Sequence, residues 1–203
     1  MAILTANNQS LTEITTLPSV VTTGSLVLLE TQTARSDSTL SFTSNIDSTY
    51  SEYIFKFYNI HPSGTNRFQF NGSIDAGSNY NVTKTTTIFT TQHSEAEAET
   101  ASILYQSGDD IAQGTGFQDL MAYGNQDADN DHSLNGTLHL FNPSSTTFVK
   151  HFIASSQGNI DTNYSNNGFI AGYFNTTSAI DAIRFQMSSG NIDAGTIKLY
   201  GVV

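Results

Sequence analysis

The most concentrated chemistry in the chain is Asp127-Ala128-Asp129-Asn130-Asp131, which sets three carboxylates at every second position. Hard cations take clustered oxygen ligands, so Asp127, Asp129 and Asp131 form a candidate Ca2+ site. The match to a helix–loop–helix calcium loop is partial. His132 stands where that loop needs glycine, and Leu138 stands where it needs a bidentate glutamate. The competing reading is a solvated acidic loop.

The other candidate ligands are His61, His93, His132, His139 and His151. His139 and His151 fall on the two arms of one expected hairpin. A turn centred on Ser144 and Ser145 sets His139 opposite Lys150, so a two-histidine zinc site needs another register and a third ligand. Surface imidazoles or imidazoles facing a partner are the plainer reading. The chain has no cysteine, which removes thiolate metal sites, cysteine nucleophiles and disulfides. It contains neither G-x-S-x-G nor G-x-x-x-x-G-K-[ST]. A carboxylate pair for glycoside cleavage would come from Glu95, Glu97, Asp109, Asp110 and Asp119, all in a polar, Gly-rich middle where acidic side chains are commonly solvated. The residues therefore read as those of a non-enzymatic protein, with no catalytic residue and no cofactor other than the candidate Ca2+. Tyr50, Tyr58, Tyr80, Tyr105, Tyr123, Tyr164 and Tyr173 offer rings that stack on sugars, but the chain lacks tryptophan. Tyrosines also serve at core edges and subunit seams, where an apolar ring with a polar tip is useful.

The elements that position these residues are strands. Tyr53, Phe55 and Phe57 alternate with Ile54, Lys56, Tyr58 and Ile60, the period of a strand apolar on both faces. Leu26–Thr33 reads as a strand with Leu26 and Leu28 on one side and Val27 and Leu29 on the other, so that both faces are buried or an exposed face meets another chain. Shorter strands occur at Leu40 and Phe42, at Phe68 and Phe70, over Val82–Thr91, at Leu138 and Leu140, over Phe148–Ile153 and over Phe169–Phe174. Ile183, Phe185 and Met187, then Ile197 and Leu199, read as a closing hairpin about Ser189-Gly190-Asn191. Residues 159–167 read as a polar loop. Ser94-Glu95-Ala96-Glu97 has the S-x-x-E spacing of a capping box, so a short helix to Leu104 stands beside an extended acidic loop as the alternative. Ser107–Asp131 reads as a long polar excursion carrying Phe117, Leu120 and Met121. About ten strands make an all-β antiparallel sandwich, a jelly roll in expectation, over residues 25–203. Residues 1–24 lack a period and read either as a partly disordered arm or as one that orders against a partner subunit.

The chain carries a net charge of −11 with only seven Lys and Arg among 203 residues. That balance disfavours nucleic acid and anionic membrane surfaces. No apolar run approaches the roughly 20 residues needed to span a bilayer, and the N-terminus lacks the basic and apolar regions of a signal peptide.

Several stretches together carry a family resemblance: Gly24–Ala34 (GSLVLLETQTA), Ile46–Ser63 (IDSTYSEYIFKFYNIHPS), Gly136–Ile153 (GTLHLFNPSSTTFVKHFI) and Ala171–Val202. The chain resembles β-rich virion structural proteins of tailed phages of marine bacteria, cyanobacterial phages among them, over roughly residues 17–203, with residues 86–135 matching less distinctly. The resemblance implies a bacteriophage structural protein, assembled in the host cytoplasm and resident in the virion. The expected role is capsid decoration or a head appendage, because the sequence has no heptads, collagen-like triplets or solenoid period to build a shaft. A tail fibre module recognising host surface glycan is the alternative. The expected partners are further copies of the chain, in an oligomer such as a trimer, and other virion proteins reached through the N-terminal arm.

Overall fold

Alternation of apolar and polar side chains gives each strand one face to bury, and two such sheets stacked face to face share a core. The computed structural model describes residues 25–97, 102–121 and 123–203. The segment 1–24, expected as an arm, lies outside the described residues. The strands are β1 (Leu26–Thr33), β2 (Thr39–Phe42), β3 (Glu52–Pro62), β4 (Phe68–Ser73), β5 (Lys84–Ser94), β6 (Ser102–Tyr105), β7 (Gln118–Asp119), β8 (Leu134–Phe141), β9 (Lys150–Ile160), β10 (Tyr164–Phe174), β11 (Ala182–Met187) and β12 (Ile192–Val202).

One sheet has the order β1-β12-β3-β8-β9-β10-β5-β6 and the other β2-β11-β4-β7. All their pairings are antiparallel. β1 with β12, β2 with β11, β3 with β8 and β4 with β7 form nested pairs, a long hairpin that rolls up so that β12 also meets β3 and β11 also meets β4. That is a jelly roll of two four-stranded sheets. Two hairpin insertions enlarge it. β5–β6 enters between β4 and β7, β9–β10 enters between β8 and β11, and all four strands extend one sheet beyond β8.

Phe185 is the hub of the core between the sheets. Its ring centroid lies 5.3 Å from those of Phe55 and Phe57, 5.7 Å from Phe68, 6.0 Å from Phe42 and 6.4 Å from Phe70. Beyond β4 and β7 the second layer is supplied by the chain between β6 and β8. Leu120 and Met121 are buried there, the Ser156 hydroxyl donates to the Leu120 carbonyl, and Thr86 donates to Gln118 at 2.6 Å. The expected surface excursion is thus partly an inner wall, covering the inward faces of β9, β10 and β5.

Several expectations need correction. Where a helix stood beside an extended loop, the described residues are the end of β5, a turn at 95–97, and β6 from Ser102. Ser94 does accept from the Ala96 N–H at 3.2 Å, but Glu97 takes a left-handed φ of 51°, and residues Ser102–Tyr105 pair with β5. The polar loop expected at 159–167 is instead the end of β9, a three-residue turn at 161–163 and the start of β10, with Tyr164 opposite Ile160. Its inward polar groups find partners in the inner wall; Asn166, for example, donates to the Tyr123 carbonyl at 3.0 Å. The closing pair is not a hairpin: β11 lies in the small sheet and β12 in the large one. In the β8–β9 hairpin His139 stands opposite Ile153, not Lys150, because the turn at Asn142–Ser145 is followed by an irregular approach to β9. Ile60 changes face. Asn59 takes φ 49° in a bulge, pairing shifts between Phe57 and Ile60, and Ile60 becomes fully buried. Gly195 opposite has φ 120°, where a Cβ would sit 2.7 Å from the Asn59 carbonyl oxygen.

Candidate interaction face

The three candidate metal ligands are not gathered on a common point. Asp127 accepts the Asp129 N–H at 2.9 Å and faces His132 Nδ1 at 2.5 Å. That backbone N–H, aided by His132, holds the Asp127 carboxyl below its ordinary range. Asp131 lies 3.8 Å from His132 Nε2 and is largely exposed, while the Asp129 backbone oxygen lies 3.1 Å from His61 Nε2. Among the described residues no three His, Asp or Glu side chains form a metal-holding group. His139 and His151 also diverge. His139 meets Glu52 at 2.6 Å, and His151 packs 5.9 Å from the Tyr173 ring.

Of the middle carboxylates, Glu95 and Glu97 are exposed, as expected of a solvated run, whereas Asp109 and Asp119 are not. Arg67 Nη1 donates to Asp109 at 2.5 Å and to Asp119 at 3.1 Å, and Gln69 donates to Asp119 at 2.6 Å. Burial raises the Asp119 carboxyl above its ordinary value against the opposing pull of Gln69 and Arg67. Both acids are turned inward on a guanidinium, which makes them an anchor for the inner wall. Asp110 takes the hydroxyl of the exposed Tyr105. Of the other tyrosines, Tyr80 is buried under the Arg184 guanidinium at 3.9 Å, and Tyr50 packs 5.7 Å from Tyr53.

The arrangement that stands out is the outer face of the enlarged half-sheet. On β5, β6, β8, β9 and β10 the outward positions hold only Phe, Tyr, Ile, Ala, Thr, Ser, Asn, Gln or His. One row runs across four strands as His139, Ile153, Ala171 and Thr87. The next runs Thr137, Ser155, Phe169, Phe89 and Tyr105, with the Phe89 and Phe169 rings stacked at 4.9 Å. Ile153 is 53% and Ile103 75% exposed. Ile153, Phe169, Phe89, Tyr105 and Ile103 thus leave a partly exposed apolar strip on this face. The inserted hairpins build this face, since without β5–β6 and β9–β10 the sheet ends at β8.

Sequence reasoning did not single out Phe89, Ile103, Ile153 or Phe169 as functional. The signal available was charge: from Ser133 to Phe174 only Lys150 and Asp161 are charged, and between Lys84 and Glu95 nothing is. Comparison with protein-family models, with curated proteins and with solved structures finds no match for this chain.

Proposed function

We propose that this chain is a non-enzymatic structural protein of a bacteriophage particle, a capsid-decorating or head-appendage component that works by being held against neighbours. The observation that carries the reading is the half-sheet added to the jelly roll. It adds four strands to one layer and presents an uncharged, partly aromatic outer face. Jelly rolls recur in viral capsid proteins and in lectins, so the architecture supports the reading by analogy alone. The resemblance of Gly24–Ala34, Ile46–Ser63, Gly136–Ile153 and Ala171–Val202 to virion proteins of marine tailed phages adds to it. Residues 1–24 precede β1 at the edge of the large sheet and supply the attachment to other virion proteins in this reading.

The second reading, a tail appendage that recognises host glycan, draws on the same face. Toward the β9–β10 turn its rows become amide-rich, with Asn135, Gln157 and Asn167 side by side next to the Phe169 and Phe89 row. Quantitative mass spectrometry of purified particles separates the two. Hundreds of copies per particle are expected for decoration, and a handful of copies for the tail reading. Absence from particles overturns both. A chain lacking residues 2–20 is expected to fold yet be missing from particles.

A further inference from the structure

We infer that the uncharged outer face of β8, β9, β10, β5 and β6 is a contact between copies of this chain, the same face on both sides. The inference rests on the structural-protein reading above and names the partner for it.

Charge selects the occupant. The chain carries 18 acidic and 7 basic residues, so most ways of bringing two copies together set carboxylates against carboxylates. Like charges across a contact act as a barrier to association. On this face neither copy presents a formal charge, so self-contact there carries no such penalty. A basic partner would instead be served by the acidic remainder of the surface.

Size agrees. β9, β10 and β5 are 11 residues long, and at ~3.4 Å per residue and ~4.8 Å between strands, four strands make a projected patch of ~700 Å2. A stable association buries about 800 Å2 per partner. The margins are polar, as in interfaces generally: Glu52 and Lys56 on β3 border β8, and Asp110 holds the Tyr105 hydroxyl at the opposite edge. Centrally, Ile153, Ala171, Phe169 and Phe89 supply apolar area, and a two-fold contact sets each copy's apolar rows against the other's.

The test is sedimentation equilibrium of the purified chain from ~1 to ~100 μM, a range that brackets the micromolar affinities common for interfaces of this size. The expected result is a mass of at least twice 22.0 kDa at the upper end. Ile153→Asp and Thr87→Lys each bring charge to the centre of the face without touching the core and are expected to weaken association at least tenfold. Leu28→Asp changes an apolar side chain of similar exposure on β1, at the other edge of the same sheet, and is expected to leave association unchanged. Circular dichroism on each variant checks the fold. A wild-type chain that stays monomeric throughout, or association that survives Ile153→Asp and Thr87→Lys in folded protein, overturns the inference. The measurement needs no particle, so the contact can fail while the protein is found on virions, and the virion reading can fail while the contact holds.

Discussion

Lys84 is a fully buried lysine with no acidic partner among the described residues. Its ammonium donates to Asn71 Oδ1 at 2.9 Å, the Gly116 carbonyl at 2.5 Å and the Val82 carbonyl at 3.2 Å, and sits 5.8 Å from the Phe174 ring centroid. Three neutral acceptors satisfy its three N–H groups but replace hydration incompletely, and burial lowers its pKa from 10.5 to about 8. Between those two values the unfolded chain binds the proton and the folded chain does not, so stability rises with pH there; below about 8 both states are protonated and the full cost of burial remains. The lowered value corresponds to about 3 kcal/mol at 1.36 kcal/mol per unit. Lys150, on the other side of Phe174 in the same row and also lowered by burial, adds in the same direction. Urea denaturation at pH 8 and pH 10 is expected to show a stability gain of about 2 kcal/mol in the wild type. Lys84→Met is expected to lose most of that gain, whatever its absolute stability. An equal gain in the variant would show that Lys84 is not the titrating group. A lysine opening a Thr-rich strand looks solvent-facing in sequence. Only the register that sets Lys84 opposite Phe174, and the Gly114–Gly116 backbone that closes over it, make it interior.

The inner wall between β6 and β8 depends on few strand pairings, since β7 is only two residues long. Arg67 fixes it by holding Asp109 and Asp119 together, and Nε adds a bond to Asn125 at 3.2 Å. Arg67→Met strands two largely buried carboxylates. The loss is expected to be about 2–3 kcal/mol in denaturant unfolding, below the value for a fully buried pair because the guanidinium keeps some exposure. Proteolysis should begin within residues 106–117, because the wall loosens before the sheets do. Unchanged stability together with unchanged cleavage would remove Arg67 from this role. The strands of the jelly roll were legible where their burial follows simple alternation, as at Leu40 and Phe42 and at Phe68 and Phe70. The inserted strands were less so. Ser156, Asn166 and Gln92 point inward to a polar wall, so β9, β10 and the end of β5 lack the apolar phase by which strands are recognised. Ser94 shows local preference yielding to tertiary pairing: its capping bond forms, but on a turn. The acidic triplet was visible in sequence, while its dispersal was not, because Asp127 is claimed by His132 and the Asp129 backbone.

At the scale of the molecule, charge and architecture divide the surface. The nested strand pairs supply a two-layer frame, the two hairpin insertions widen one layer, and the acidic residues are kept off the outer face of the widened part. Two copies that meet there bring apolar rows together while their net charges of −11 still repel at longer range. Added salt shortens that repulsion, from a Debye length of about 30 Å at 0.01 M to about 8 Å at 0.15 M, and has little to weaken in a contact without ion pairs. Association is therefore expected to tighten severalfold as NaCl rises from 0.01 to 0.15 M, through a faster on-rate, when followed by sedimentation or light scattering. Contacts built on complementary charge move the other way. Association that loosens over this range would place the contact on the charged margin, at Lys56 and Lys198 beside Tyr200 and Tyr58, and would move it off the Phe89–Phe169 rows.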